Sequence, residues 1–136
     1  MNGGPSNWGL LFFSSSGRLP RLPFLVAMAV IIGALLLFEN AVPQILQTLT
    51  AIVFYAGLLF CSACVLSKRL HDRGRSGWWA ALVLLAFGMV WPHPSGVRGL
   101  FLLVIIWSVV ELGLMPGEEG ANRFGLNPQK QNQQTA

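Results

Sequence analysis

The residues best suited to chemistry are few, and most of them lie in one charged stretch at positions 68–79. His71 and Asp72 are adjacent there, and an imidazole and a carboxylate are common groups in acid–base catalysis. We disfavour catalysis because adjacent side chains point in different directions on a helix, and we expect the chain not to be an enzyme. The stretch instead predicts a turn that fixes membrane topology at the lipid headgroups, or a docking surface for a partner.

A second chemical pattern is Cys61-x-x-Cys64, which would be redox-active in a thioredoxin-like setting. It lies inside an apolar run, where burial makes thiols inert. Gly57 shares a helical face with both cysteines, so we interpret the pattern as close helix packing, with redox or metal chemistry as the alternative. His71 and His93 are predicted to lie on opposite sides of a membrane, and neither has a suitable ligand set nearby. We therefore expect neither a metal nor a cofactor.

The composition points to lipid as the solvent of this chain. Of its 136 residues, 54% are hydrophobic and only 10% are charged, whereas a soluble domain carries about 25% charged residues. The net charge is +4, and the basic residues flank apolar runs. Contact with anionic lipid headgroups explains that placement better than nucleic acid, which we do not expect as a partner.

The apolar runs predict an all-α, polytopic membrane protein with four transmembrane helices. A cleaved signal peptide is the alternative for the first run, but no small-x-small cleavage site follows it. The third run is the weakest, since it gives roughly 21 Å of helix against a hydrocarbon core of about 30 Å. We expect it to extend from Gly77 to Pro92, with Trp78, Trp79 and Trp91 as interfacial anchors. The four runs are residues 22–38, 46–66, 78–91 and 99–115.

The basic residues predict the orientation. With four spans, both termini and the central loop share one side, and that side holds all of the nine Lys and Arg residues except Arg98. The positive-inside rule then places both termini in the cytoplasm. The chain divides into an interfacial N-terminal segment (1–21, including residues 8–13), a four-helix transmembrane domain (22–115) and a cytoplasmic tail (116–136) that is disordered from Gln129 to Ala136.

Glu111 is the ionisable residue that lies well inside a predicted span. A charge at mid-bilayer costs about 2.5–3.5 kcal/mol on insertion scales. Met115 follows one turn later, so we expect Glu111 near the cytoplasmic surface, where it reaches headgroup water or pairs with a loop arginine. The alternative is a polar contact within the helix bundle or with a partner subunit.

Three segments outside the apolar runs are distinctive. They are Gly17-Arg18-Leu19-Pro20-Arg21, then Lys68-Arg69-Leu70-His71-Asp72 with Gly74-Arg75-Ser76-Gly77-Trp78-Trp79, and finally Gly120-x-Asn122-Arg123-Phe124-Gly125-x-Asn127-Pro128. Together they resemble the domain of unknown function 805 family of small bacterial inner-membrane proteins, over roughly residues 8–128. The resemblance implies a four-helix, multi-pass inner-membrane protein whose molecular role is undefined. The chain differs from the family pattern at Pro20, Pro23, Arg73 and Glu111.

These observations favour a small integral inner-membrane protein that acts by contact, as an accessory, assembly or lipid- and partner-binding subunit. Its expected partners are anionic membrane lipids and a membrane protein or a second copy of the chain. A subunit of an oligomeric transporter or channel is the alternative, for which Glu111 would be the polar intramembrane residue. The residues predicted to contact a partner or headgroups are Arg18, Arg21, Lys68, Arg69, His71, Asp72, Arg73, Arg75, Trp78, Trp79, Asn122, Arg123 and Phe124.

Overall fold

The computed structural model describes residues 8–91 and 95–134, and over these residues the chain is all-helical without strands. His93 and Pro92, to which the sequence assigns an outer loop and a helix end, lie outside the described residues. Helix α5 is preceded by a 3-10 turn, Gly96–Leu100, and continues into a π-helical segment, Val109–Leu114. The α-helices are α1 (Trp8–Phe13), α2 (Arg21–Ala41), α3 (Gln44–Asp72), α4 (Trp79–Val90), α5 (Phe101–Ser108) and α6 (Pro128–Gln134).

Among the described residues, three helices are long and apolar enough to cross a membrane. They are α2 with 21 residues, α3 with 29 residues, and the continuous helix Gly96–Leu114 with 19 residues. We call Gly96–Leu114 the last helix, although the short α6 follows it in the chain. The third predicted run forms α4, but its 12 residues make only about 18 Å of helix. The expected extension to Pro92 is wrong, because Trp91 is already extended (φ −76°, ψ 140°). A residue that precedes a proline is disfavoured in the α region, and this ends α4 early.

Helix α3 is longer than the apolar run that predicts it. Lys68 and Arg69 do not end the helix, which continues to Asp72 because these polar side chains find partners in other segments. The helix ends in a Schellman motif, in which Gly74 N–H donates to His71 O (3.0 Å) and Arg75 N–H to Leu70 O (2.9 Å). Gly74 takes the left-handed conformation (φ 69°) that this cap requires.

The hydrophobic core lies toward one end of the bundle. The buried stripe of α2 packs against the second half of α3, the start of α4 and Leu112 of the last helix. The large apolar side chains of the first half of α3 are exposed, as a lipid-facing helix would have them. At the opposite end, Gln47 donates to the carbonyls of Phe38, Glu39 and Val42 and closes the α2–α3 turn. The core residues of α2 are Phe24, Ala27 and Ile31.

The tail differs from its predicted disorder. Residues 128–134 form α6, which starts with Pro128 at its first position. Asn127 Oδ1 accepts a hydrogen bond from Gln129 N–H at 2.9 Å, and a capping asparagine followed by proline is a strong helix start. The Gln-rich composition therefore does not prevent a short helix once its first turn is capped.

Candidate functional site

The charged residues gather at the cored end of the bundle in a folded unit that we call the polar cap (residues 17–20, 68–79 and 111–127). Asp72 lies at its centre. Its Oδ1 accepts from Arg18 Nε at 3.0 Å, and its Oδ2 accepts from Arg69 Nη1 at 2.5 Å. The side chains of Arg18, Asp72 and Arg69 are only 1%, 5% and 0% exposed. This carboxylate thus joins the N-terminal segment to the end of α3.

Arg69 holds the end of the last helix. The final carbonyls of a helix lack donors within the helix. Arg69 provides such donors, since its Nε donates to Leu112 O (2.7 Å) and its Nη2 donates to Met115 O (2.6 Å). Its Nη1 also donates to Leu19 O at 3.3 Å. The guanidinium lies 5.9 Å from the Phe24 ring centroid. A cation at this position stabilises the negative pole of the last helix.

Arg18 holds the tail. Its Nη2 donates to Glu118 O (2.5 Å) and its Nη1 to Gly120 O (2.6 Å). The tail also contacts α3 directly, because Glu118 N–H donates to Asp72 O at 2.8 Å. Gly117 passes so close to Asp72 that a β-carbon there would overlap its carboxylate. The N-terminal segment, the central loop and the tail are therefore one interlocked structure.

Glu111 lies at the edge of the polar cap and pairs with two loop arginines. Its Oε1 accepts from Arg73 Nη2 at 3.0 Å and from Arg75 Nε at 3.2 Å. Arg73 Nη1 donates to Pro116 O (2.6 Å), and the Arg75 guanidinium lies 5.6 Å from the Trp107 ring centroid. The wider turn of the π-helical segment carries Glu111. The carboxylate thus sits where the last helix meets the central loop.

His71, Asn122 and Phe124 form the outer layer of the polar cap. The rings of His71 and Phe124 stack at 3.9 Å with an interplanar angle of 9°. The Arg123 guanidinium lies over the Phe124 ring, 4.7 Å from its centroid. Asn122 Nδ2 donates to His71 O (2.9 Å) and to Glu118 Oε2 (2.7 Å). The tight turn at residues 122–125 therefore docks on the end of α3.

The remaining predicted contact residues divide into inner and outer groups. Lys68 is buried and its Nζ donates to the carbonyl of Leu10, at the end of α1. Trp79 packs on Trp107 with a centroid distance of 5.9 Å. Trp78, at 84% exposure, and Arg21 point outward. Of the predicted residues, the cap gathers Arg18, Lys68, Arg69, His71, Asp72, Arg73, Arg75, Asn122 and Phe124, and it leaves Arg21, Trp78, Trp79 and Arg123 exposed.

Sequence reasoning missed three residues on which the cap depends. Gly117 permits the close approach to Asp72, and Glu118 meets both Arg18 and Asn122. Asn127 Nδ2 donates to the carbonyls of Glu118 and Glu119. Their signal is present in the sequence, since all three lie in or beside the distinctive tail segment, but the chain alone does not reveal their partners.

The cap is a network of internal bonds. Over residues 8–91 and 95–134, no three His, Cys, Asp or Glu residues lie together in a way that could hold a metal ion. Cys61 and Cys64 are free thiols, and Cys64 is buried in the wall of the core. The Asp72 carboxylate pairs with both Arg18 and Arg69 away from solvent.

Comparison with known proteins agrees with this geometry. The sequence model of the family described as "Protein of unknown function (DUF805)" matches residues 12–126, which include the whole polar cap except Asn127. The chain is 35% identical over 127 residues to the uncharacterized protein YiiR of Escherichia coli strain K12, covering 86% of this chain and 87% of that protein. YiiR of Escherichia coli O157:H7 gives the same figures. No solved structure matches.

Proposed function

The chain belongs to the DUF805 family of unknown function, and from this premise we propose that it is a small integral membrane protein acting by contact. In this proposal it is an accessory or assembly subunit and not an enzyme. Its polar cap binds anionic headgroups and a membrane-protein partner or a second copy of the chain. The resemblance named from the sequence is confirmed, and the family carries no defined activity that would argue otherwise.

The observation that carries the proposal is the internal pairing of the cap. Asp72 and its two arginines are buried and bonded to each other and to backbone carbonyls. A fully satisfied polar network rigidifies the structure that contains it. Such a network supports a fixed binding surface better than a turnover site, whose charged groups must meet substrate. The exposed basic residues on or beside the cap are Arg21, Arg123 and Lys130.

Chain connectivity supports four spans in the inner membrane. Helix α3 and the last helix both end in the polar cap, where Arg69 bonds the carbonyls of Leu112 and Met115. If both cross the bilayer, α4 must return the chain to the opposite side. Its helix of about 18 Å is short for a hydrocarbon core of about 30 Å, and a bilayer accommodates a short span by local thinning. The positive-inside rule then places the cap in the cytoplasm.

Co-purification from bacterial membranes in mild detergent tests the proposal. Mass spectrometry of the purified complex should find a stoichiometric protein partner or retained anionic lipid with the natural chain. Replacing Arg21, Arg123 and Lys130 together with Glu should reduce that retention at least about tenfold, since each basic residue near an anionic surface contributes about 1 kcal/mol. These residues contribute no hydrogen bond to the interlocked centre of the cap.

The matched control is Arg98→Glu, which changes an equally exposed arginine at the other end of the bundle. It should retain the same protein and lipid as the natural chain. A natural chain that purifies alone and without lipid would overturn the proposal. So would a triple variant that retains as much as Arg98→Glu.

A further inference from the structure

A groove of about 390 Å³ opens between α3 and the start of α4, and neither Asp72 nor Glu111 is among its lining residues. Ala63, Ser67 and His71 line its α3 wall at i, i+4 spacing, so they share one helical face. Gly77 and Ala81 line the opposite wall. Near the cap, hydroxyl groups and an imidazole line the groove. Toward the bundle, small apolar side chains line it. That gradient matches an amphiphile lying along the helices.

The protonation of His71 follows from its contacts. Its Nδ1 lies 3.3 Å from the carbonyl oxygen of Gly17. A carbonyl oxygen only accepts hydrogen bonds, so Nδ1 carries the proton and Nε2 of the neutral ring is an acceptor. The stack on Phe124 fixes the ring plane. His71 therefore presents a hydrogen-bond acceptor of fixed orientation to the groove.

The absence of a side chain on Gly77 keeps this acceptor accessible. A β-carbon on Gly77 would lie 3.1 Å from both His71 Nε2 and Ser67 Oγ. Imidazole nitrogen and hydroxyl thus face the same small volume. Ser76 lines the same end of the groove, and Trp78 stands at its mouth with 84% exposure, as a ring at headgroup level would.

We propose that this groove binds one phospholipid whose headgroup carries its own N–H or O–H donor, such as ethanolamine or glycerol. The headgroup donor bonds His71 Nε2, and the phosphate accepts from the hydroxyls of Ser67 and Ser76. The first methylenes lie against Ala63 and Ala81. A choline headgroup carries three methyl groups on nitrogen and no donor, so it leaves the imidazole acceptor unpaired at a cost. The inference rests on the proposed function for its membrane setting.

Native mass spectrometry of the full chain in detergent tests it. Phosphatidylethanolamine, phosphatidylglycerol and phosphatidylcholine with identical acyl chains are titrated in parallel. The natural chain should hold one ethanolamine or glycerol lipid about tenfold more tightly than the choline lipid, as an unpaired acceptor implies. His71→Phe keeps an aromatic ring against Phe124 but removes the acceptor, so it should bring all three lipids within about twofold of one another.

Two further variants separate the parts of the groove. Ser67→Ala should weaken all three lipids equally, because every one of them carries the phosphate. Gly77→Ala should lower the occupancy of the groove, whereas Gly88→Ala in α4, where a β-carbon meets nothing within 4 Å, should bind like the natural chain. Equal binding of the choline and ethanolamine lipids by the natural chain would overturn the inference, as would full discrimination in His71→Phe.

The outcomes distinguish the two proposals. Co-purification could find no partner and the exposed basic residues could prove dispensable while the lipid discrimination persists. That outcome contradicts the proposed function alone. A captured partner together with equal binding of all three lipids contradicts the groove alone.

Discussion

Arg18 Nε donates to Asp72 Oδ1 at 3.0 Å across 54 residues of sequence. Because Asp72 also accepts from Arg69, one carboxylate connects the segment before α2, the end of α3 and, through the carbonyls that both arginines bind, the last helix and the tail. A buried network of this kind fixes which segments meet more than it adds net stability.

Replacing Asp72 with Asn should therefore destabilise the chain severely. Two buried guanidinium groups would lose their carboxylate, and breaking a buried ion pair by removing one partner costs about 3–5 kcal/mol. Thermal unfolding in detergent, followed by circular dichroism, measures the change. Glu119→Gln removes an exposed carboxylate of the same cap and should unfold like the natural chain. Equal melting of the two variants would contradict the central role of Asp72.

Gly117→Ala should release the tail from the cap while Gly120→Ala should not. A β-carbon at Gly117 overlaps the Asp72 carboxylate, which two arginines hold in place, whereas one at Gly120 meets nothing within 4 Å. Trypsin cleavage after Arg123 and Lys130 reports the open tail, and its rate should rise at least about tenfold for Gly117→Ala, which corresponds to about 1.4 kcal/mol of opening free energy. A tail that is equally resistant in both alanine variants would show that the close approach to Asp72 is unimportant.

Glu111 and Arg73 should be energetically coupled. Their pair, at 3.0 Å, is 11% and 23% exposed in its side chains, so water screens it only partly. A double-mutant cycle with Glu111→Gln, Arg73→Gln and both changes should give a coupling free energy of about 1 kcal/mol, at the upper end for exposed pairs. Arg21→Gln in place of Arg73→Gln supplies the uncoupled control. A coupling no greater than that control would mean that the contact contributes nothing to stability.

The two ends of the bundle should lie on opposite sides of the membrane. In a Cys61→Ala, Cys64→Ala background, Arg98→Cys should react with an impermeant maleimide from outside intact cells, after permeabilisation of any outer membrane. Lys130→Cys should react only after the inner membrane is broken, because the tail bonds the same cap as the basic central loop. The reverse pattern would mean either that the whole bundle is inverted, with the cap external, or that α4 does not cross, so that the tail and the central loop lie on different sides.

Much of the candidate site was predictable as a set of residues, but its role was not. The distinctive segments around Arg18, Asp72 and Asn122 mark the residues that the cap gathers. The sequence predicted that these residues contact lipid headgroups or a partner, because a charged side chain is rarely buried unless another group pairs with it. The burial of Arg18 and Arg69 depends on carbonyls of Gly120, Leu112 and Met115, which no side-chain pattern encodes.

The sequence by itself determined that this chain is helical and apolar enough for a membrane, where its helices begin to within a few residues, and to which family it belongs. These properties are local, since they depend on runs of hydrophobic side chains, on prolines and glycines, and on short motifs. Only the tertiary structure decided that α3 continues to Asp72 and that the tail closes on Asp72 through Gly117. Those outcomes depend on contacts between residues far apart in the chain, where a charged side chain becomes stable in a buried position only because distant backbone carbonyls and carboxylates are brought to it.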